Sequence, residues 1–171
     1  MDSTSLTNLN SVDRKVFVAL LDGIFEHSPW VAERAYSKRP FHSLEALHQT
    51  MVSVVAESGV ERQLDLICAH PDLAGKAALA QELTDHSQRE QASAGLDRLT
   101  PEEYARFHRL NESYRSKFGF PFILAVKGHT KHSILDAFES RLPNDEDAER
   151  QCALREIAKI ARFRLEERLT G

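Results

Sequence analysis

Only one run in this chain has the apolar, aromatic character of a β-strand, Phe120 to Val126, and Pro121 interrupts it. Proline cannot donate to a strand ladder, so the run reads as an extended segment without a partner strand. With no second strand there is no sheet, and the other apolar residues must be buried by helices packing on helices. The expected fold is all-α, an irregular bundle of roughly eight helices. A length of 171 residues suits a single domain, 1–171, and buries enough surface to fold without a metal or disulfide staple.

Helix punctuation recurs at suitable intervals. Asn10 or Ser11 is placed to cap a helix running to about Glu26, with Val12, Val16, Ala19, Leu20 and Ile24 at helical spacing. Residues 1–10 are expected to be a flexible segment. Ser28-Pro29 reads as N-cap plus first-turn proline of a short helix through Ala35. Ser43 opens a helix carrying Leu44, Leu47, Met51, Val54 and Val55, which stops near Gly59. A helix from about Val60 to Ala69 must end before Pro71, because proline disfavours helical geometry in the residue ahead of it. Ser87-x-x-Glu90 matches a capping box for a short helix to Ala94. Thr100-Pro101-x-Glu103 opens a helix to Phe118, which Gly119 closes. The last two helices run from about Thr130 to Arg141 and from about Asp145 to Leu169, the second with acidic residues where the helix dipole favours them.

Charge and composition exclude some classes. The formal net charge is -4, from 22 Lys+Arg against 26 Asp+Glu, whereas a general nucleic-acid binder carries a basic excess. A local basic pocket for a small anion stays open. Cys68 and Cys152 lie in apolar helical patterns, far apart and outside any CxxC, so both are expected to be buried thiols in a reducing compartment. No apolar run approaches the ~20 residues needed to cross a membrane. The polar Met1–Asn10 stretch has no apolar signal core, and Leu169-Thr170-Gly171 is not a peroxisomal tripeptide, so the cytoplasm is the expected compartment.

Four constellations could carry chemistry. In Ala69-His70-Pro71-Asp72-Leu73-Ala74-Gly75-Lys76 a histidine sits at a helix break beside a backbone-fixing proline, where it could donate or accept a proton near neutral pH. The local alternative is a histidine interacting with the helix dipole. Gly75-Lys76 lacks the upstream glycine and following Ser/Thr of a phosphate loop. In Ser87-Gln88-Arg89-Glu90-Gln91 the carboxylate of Glu90 either faces a pocket or closes a cap on Ser87. On the last helix Arg164 falls in a stripe with Ala153, Ile157, Ile160 and Ala161, with Arg162 to the flank. A guanidinium there either grips a carboxylate or completes an internal salt bridge. His129-x-x-His132 with Asp136 hints at a metal, but Thr130 is the better helix start and leaves His129 outside, so no metal is expected.

At these residues the chain resembles the decarboxylases of 2-oxo-4-hydroxy-4-carboxy-5-ureidoimidazoline, the OHCU decarboxylases. The resemblance rests on Ser28-Pro29-Trp30-Val31-Ala32-Glu33-Arg34-Ala35, His70-Pro71-Asp72-Leu73-Ala74-Gly75-Lys76 and Ser87-x-x-Glu90-Gln91-x-x-Ala94-Gly95-Leu96. Tyr114-Arg115-x-Lys117-Phe118-Gly119-Phe120-Pro121-Phe122-Ile123 and Arg164-Leu165 complete it. The resemblance implies an all-helical fold, usually a homodimer, that uses no cofactor. It also implies release of CO2 from the product of hydroxyisourate hydrolysis, giving (S)-allantoin. By position, it makes His70 and Glu90 the catalytic pair. Pro71, Ser87, Gln91, Phe120, Ile123 and Arg164 would line the pocket for the small anionic substrate, with Arg162 as the other candidate for its carboxylate. Two rival classes remain from the residues alone. A helical interaction module would need an exposed apolar groove. A ureide hydrolase would need a metal cluster or an activated nucleophile.

Overall fold

The computed structural model describes residues 3–75 and 83–170; Lys76, the last residue of the histidine-bearing motif, lies outside them. Among the described residues there are nine α-helices and no strand, only an isolated bridge between Thr4 and Leu169. They gather into two compact units, Met1–Ala69 with Ala158–Gly171, and His70–Ile157.

The first unit contains α1 (Leu6–Ser11), α2 (Arg14–Leu20), α3 (Trp30–Ala35), a short 3-10 turn (Tyr36–Lys38), α4 (Leu44–Glu57) and α5 (Val60–Cys68). The single helix expected up to Glu26 is two helices. Val12 is extended, the Asp13 carboxylate accepts the Val16 N–H, and α2 ends at Leu20. Asp13 is the better cap because its side chain satisfies an orphan amide of the first turn. Within the N-terminal segment Ser5 caps α1, Leu9 is fully buried, and the Thr4 N–H donates to the Arg168 carbonyl at 2.9 Å. Ser28 does not cap α3; its hydroxyl donates to the Glu26 carbonyl. Ser43 caps α4 as its spacing predicts, and Leu47, Met51, Val54 and Val55 are buried. Cys68 is exposed and Cys152 half-buried, not buried as their apolar surroundings suggested. Phe17 anchors this unit, with Tyr36 edge-on at 5.5 Å and Phe41 stacked at 6.3 Å.

The second unit contains α6 (Asp85–Ser93), α7 (Pro101–Phe118), α8 (Lys131–Arg141) and α9 (Glu146–Arg168) as far as Ile157. Both bonds of the Thr100–Glu103 capping box form, and Gly119 closes α7 in the left-handed region at φ +77°, which a residue without Cβ adopts cheaply. The box expected at Ser87 does not form. Thr84 is the cap, its hydroxyl accepting from the Ser87 N–H, and Ser87 lies inside the first turn. Phe120–Val126 is neither helix nor strand, is buried throughout and pairs with no strand among the described residues. Phe122 stacks on Phe138 at 3.8 Å, and Tyr114 meets Phe122 edge-on at 5.3 Å, so the segment is fixed through its aromatic side chains.

Candidate active site

The helix break ahead of Pro71 places His70, buried with 6% exposure, at the start of a non-helical stretch described as far as Gly75. Three side chains from two helices hold that loop. The Gln91 amide of α6 takes the Ala74 N–H on its oxygen at 2.9 Å and donates to the Asp72 carbonyl at 3.2 Å. From α7, Asn111 donates to the Leu73 carbonyl at 2.9 Å and Arg115 to the Asp72 carboxylate at 2.9 Å. Ala74 has φ +54°, a conformation costing a non-glycine residue on the order of 1–3 kcal/mol and persisting only where surroundings over-determine it. Gly75 is required sterically, since a Cβ there would meet the Asp72 Cβ at 2.7 Å. The loop is therefore rigid, which is what a proton-transfer group needs from its support.

Ser87 is buried at 4% exposure and Glu90 half-buried, both on α6. Since Ser87 is no cap, closing a box is not what the Glu90 side chain does. A cavity of about 510 Å³ lies on the other side of Gln91, lined by Ala74, Gln88, Gln91, Leu96 and Tyr104 among others; of the site residues expected from the sequence, Gln91 lines it and His70, Pro71, Ser87, Glu90, Phe120, Ile123 and Arg164 do not. Pro71 is half-buried, while Phe120 and Ile123 are buried. Thus His70, Pro71, Ser87, Glu90, Gln91, Phe120 and Ile123 all belong to the second unit.

Arg164 belongs to the first unit and lies in the apolar stripe, as the wheel predicts, with 2% exposure. Its Nη1 donates to Glu26 Oε2 and to the Gly23 carbonyl, both at 2.8 Å. The Glu26 carboxylate is equally buried, so this is a fully desolvated ion pair. His27, next to Glu26, holds φ +45°, the other non-glycine residue in the left-handed region among those described. Arg162 instead bridges two surface carboxylates, Glu45 at 2.7 Å and Glu166 at 2.8 Å, which hold its guanidinium in the charged form.

The sequence profile of the OHCU decarboxylase family matches residues 10–166. The chain belongs to the OHCU decarboxylase family. The 2-oxo-4-hydroxy-4-carboxy-5-ureidoimidazoline decarboxylase of Halalkalicoccus jeotgali is 46% identical over 98% of this chain and 93% of its own length. The Haloferax volcanii protein of the same name is 45% identical, with 100% and 99% covered. A crystal structure of (S)-allantoin synthase superposes with a TM-score of 0.79 at 32% identity, covering 98% of this chain and 54% of that one.

This OHCU decarboxylase family member carries several candidate residues that motif spacing did not expose. Glu26 was read only as the end of a helix, and Asn111 lay unremarked within the helix to Phe118. Both bond to partners far away in sequence, which periodicity within one helix does not report. His129 Nδ1 lies 2.9 Å from the Ser133 hydroxyl, His132 and Asp136 are exposed, and among the described residues no three His, Cys, Asp or Glu side chains are grouped as metal ligands would be. Among the described residues Val16 and Val60 are the large hydrophobics left exposed, which is no groove for a partner helix. No described helix is long and apolar enough to cross a membrane.

Proposed function

We propose that this chain decarboxylates 2-oxo-4-hydroxy-4-carboxy-5-ureidoimidazoline to (S)-allantoin in urate breakdown. The observation that carries this reading is the buried His70 on a loop clamped by Gln91, Asn111 and Arg115, within a chain of this family. The substrate is a small ring whose C=N bond accepts the electron pair released when the bond to the carboxylate carbon breaks. That ring is its own electron sink, so no cofactor is required to supply one. The protein must orient the carboxylate, stabilise charge moving into the ring, and deliver one proton to one face.

His70 is the proton-transfer group, held still by the loop beneath it. Glu90, near the departing carboxylate, disfavours the charged ground state relative to a transition state in which that charge is leaving. Arg164 takes the anionic end of the substrate; a guanidinium suits a carboxylate because its donors form a planar fork. Ser87, Pro71, Phe120 and Ile123 shape the pocket. Gln91 both braces the loop and offers amide groups to the ureido or ring atoms. The resemblance supports these roles, together with a homodimer working in the cytoplasm.

Glu90→Gln tests the reading. Glutamine keeps the shape and the hydrogen-bonding oxygen but neither the charge nor an exchangeable proton. The variant should melt within a few degrees of the parent, yet turn over at least about tenfold more slowly, a barrier rise of roughly 1.4 kcal/mol. Unchanged steady-state kinetics would remove Glu90 from the mechanism.

A further inference from the structure

We infer that Arg141, Glu149 and Glu156 are positioning residues that set the Ile123 carbonyl and the Ala125 amide, and through them the pocket edge formed by Phe120–Ile123. This rests on the reading above, in which that segment lines the substrate pocket. Buried backbone groups must find partners, and a segment outside helix and strand has none from a helical or strand ladder. Here two helices supply charged ones. Arg141 Nη1, from the last turn of α8, donates to the Ile123 carbonyl at 2.6 Å. Glu156 Oε1, from α9, accepts the Ala125 N–H at 3.1 Å.

Arg141 is itself locked. Its Nε donates to Glu149 Oε1 at 2.9 Å, and its guanidinium lies 4.3 Å over the centre of the Phe122 ring. Glu149 is fully buried; the same oxygen accepts from the Tyr114 hydroxyl at 2.6 Å, and the other from Asn144 at 3.0 Å. Burial and the bond to Glu149 push the Tyr114 phenol far above its ordinary range, so it stays protonated and keeps donating. One carbonyl is thus held by a chain running Tyr114, Glu149, Arg141, Ile123.

This is more charge than a carbonyl needs. The buried Ile123 carbonyl and Tyr114 hydroxyl need partners, but neutral side chains could supply them, so the fold alone does not call for charge at positions 141 and 149. What the charged chain adds is geometry, because a guanidinium fork fixes the direction as well as the distance of its acceptor. Catalysis is sensitive to that, since small misplacements of a substrate-orienting surface cost large factors in rate.

The test is kinetic, made on the whole chain. In the double variant Arg141→Met/Glu149→Leu the buried pair is replaced by apolar side chains. We expect a parental circular dichroism spectrum, a lower melting midpoint because the Ile123 carbonyl and Tyr114 hydroxyl lose their partners, and kcat at least tenfold lower at temperatures where the variant is folded. Undiminished kcat would overturn the inference. Because the double variant could fail to fold, Glu156 provides an independent pair. Glu156→Gln keeps an oxygen for the Ala125 N–H and should retain most of the parental kcat, whereas Glu156→Leu should lose at least tenfold. Equal kcat for both Glu156 variants and the parent would overturn the inference while leaving the proposed reaction standing. A parent chain inactive on the substrate would overturn both.

Discussion

Replacing His70 by asparagine is expected to leave the helical fold intact and to slow turnover by about 10²–10⁴-fold, the range general acid–base groups contribute. The fold should survive because the loop after the α5 break is held by bonds that do not involve the imidazole: Gln91 to Ala74 and Asp72, Asn111 to Leu73, and Arg115 to Asp72. Asparagine keeps a polar, hydrogen-bonding side chain in a buried position but cannot titrate near neutral pH. Circular dichroism and thermal melting would check the first half of this expectation, and steady-state turnover the second. A folded variant with parental turnover would reduce His70 to the residue that finishes α5.

The largest effect on stability is expected at the Glu26–Arg164 pair. Removing one partner of a buried ion pair leaves the other charge uncompensated, which typically costs about 3–5 kcal/mol. Glu26→Ala should therefore lower the denaturation midpoint sharply, since both side chains are only 2% exposed and 2.8 Å apart. The double variant Glu26→Leu/Arg164→Met removes both charges and should regain most of that stability. Its activity separates two roles for Arg164. If the guanidinium binds the substrate carboxylate, the restabilised double variant stays impaired, mainly through a raised KM. Arg164→Lys should be impaired as well, because it keeps the charge and loses the fork. Full activity in the double variant would make the pair purely structural and move the anion site elsewhere.

The all-helical architecture was legible because its punctuation is local. Ser43, the Thr100–Glu103 box, Gly119 and Thr130 do in space what their spacing implies. Phe120–Val126 was legible for the same reason, since Pro121 bars it from a ladder. The misplaced boundaries arose where two residues competed for one cap. Asp13 prevailed over Asn10 and Ser11, which form the last turn of α1, and Thr84 prevailed over Ser87, which is buried. Ser87 goes into the interior with Gln91, so the exposed start of the helix falls to Thr84. The candidate site divided similarly. His70, Glu90 and Arg164 were visible as unusual residues in recognisable settings. Glu149 and Glu156 lie on the same stripe as Arg164, four residues before Ala153 and Ile160, but what makes them matter comes from other helices. Arg141 and Tyr114 meet Glu149 only in the folded chain, and the Ala125 amide meets Glu156 the same way.

The central claim is a stereospecific, proton-delivering decarboxylation. It is tested most directly by adding the chain to freshly generated 2-oxo-4-hydroxy-4-carboxy-5-ureidoimidazoline and following CO2 release together with the optical activity of the product. One CO2 released per substrate, faster than in buffer alone, with accumulation of (S)-allantoin only, is the expected result. Loss of substrate no faster than in buffer, or a racemic product, would contradict it.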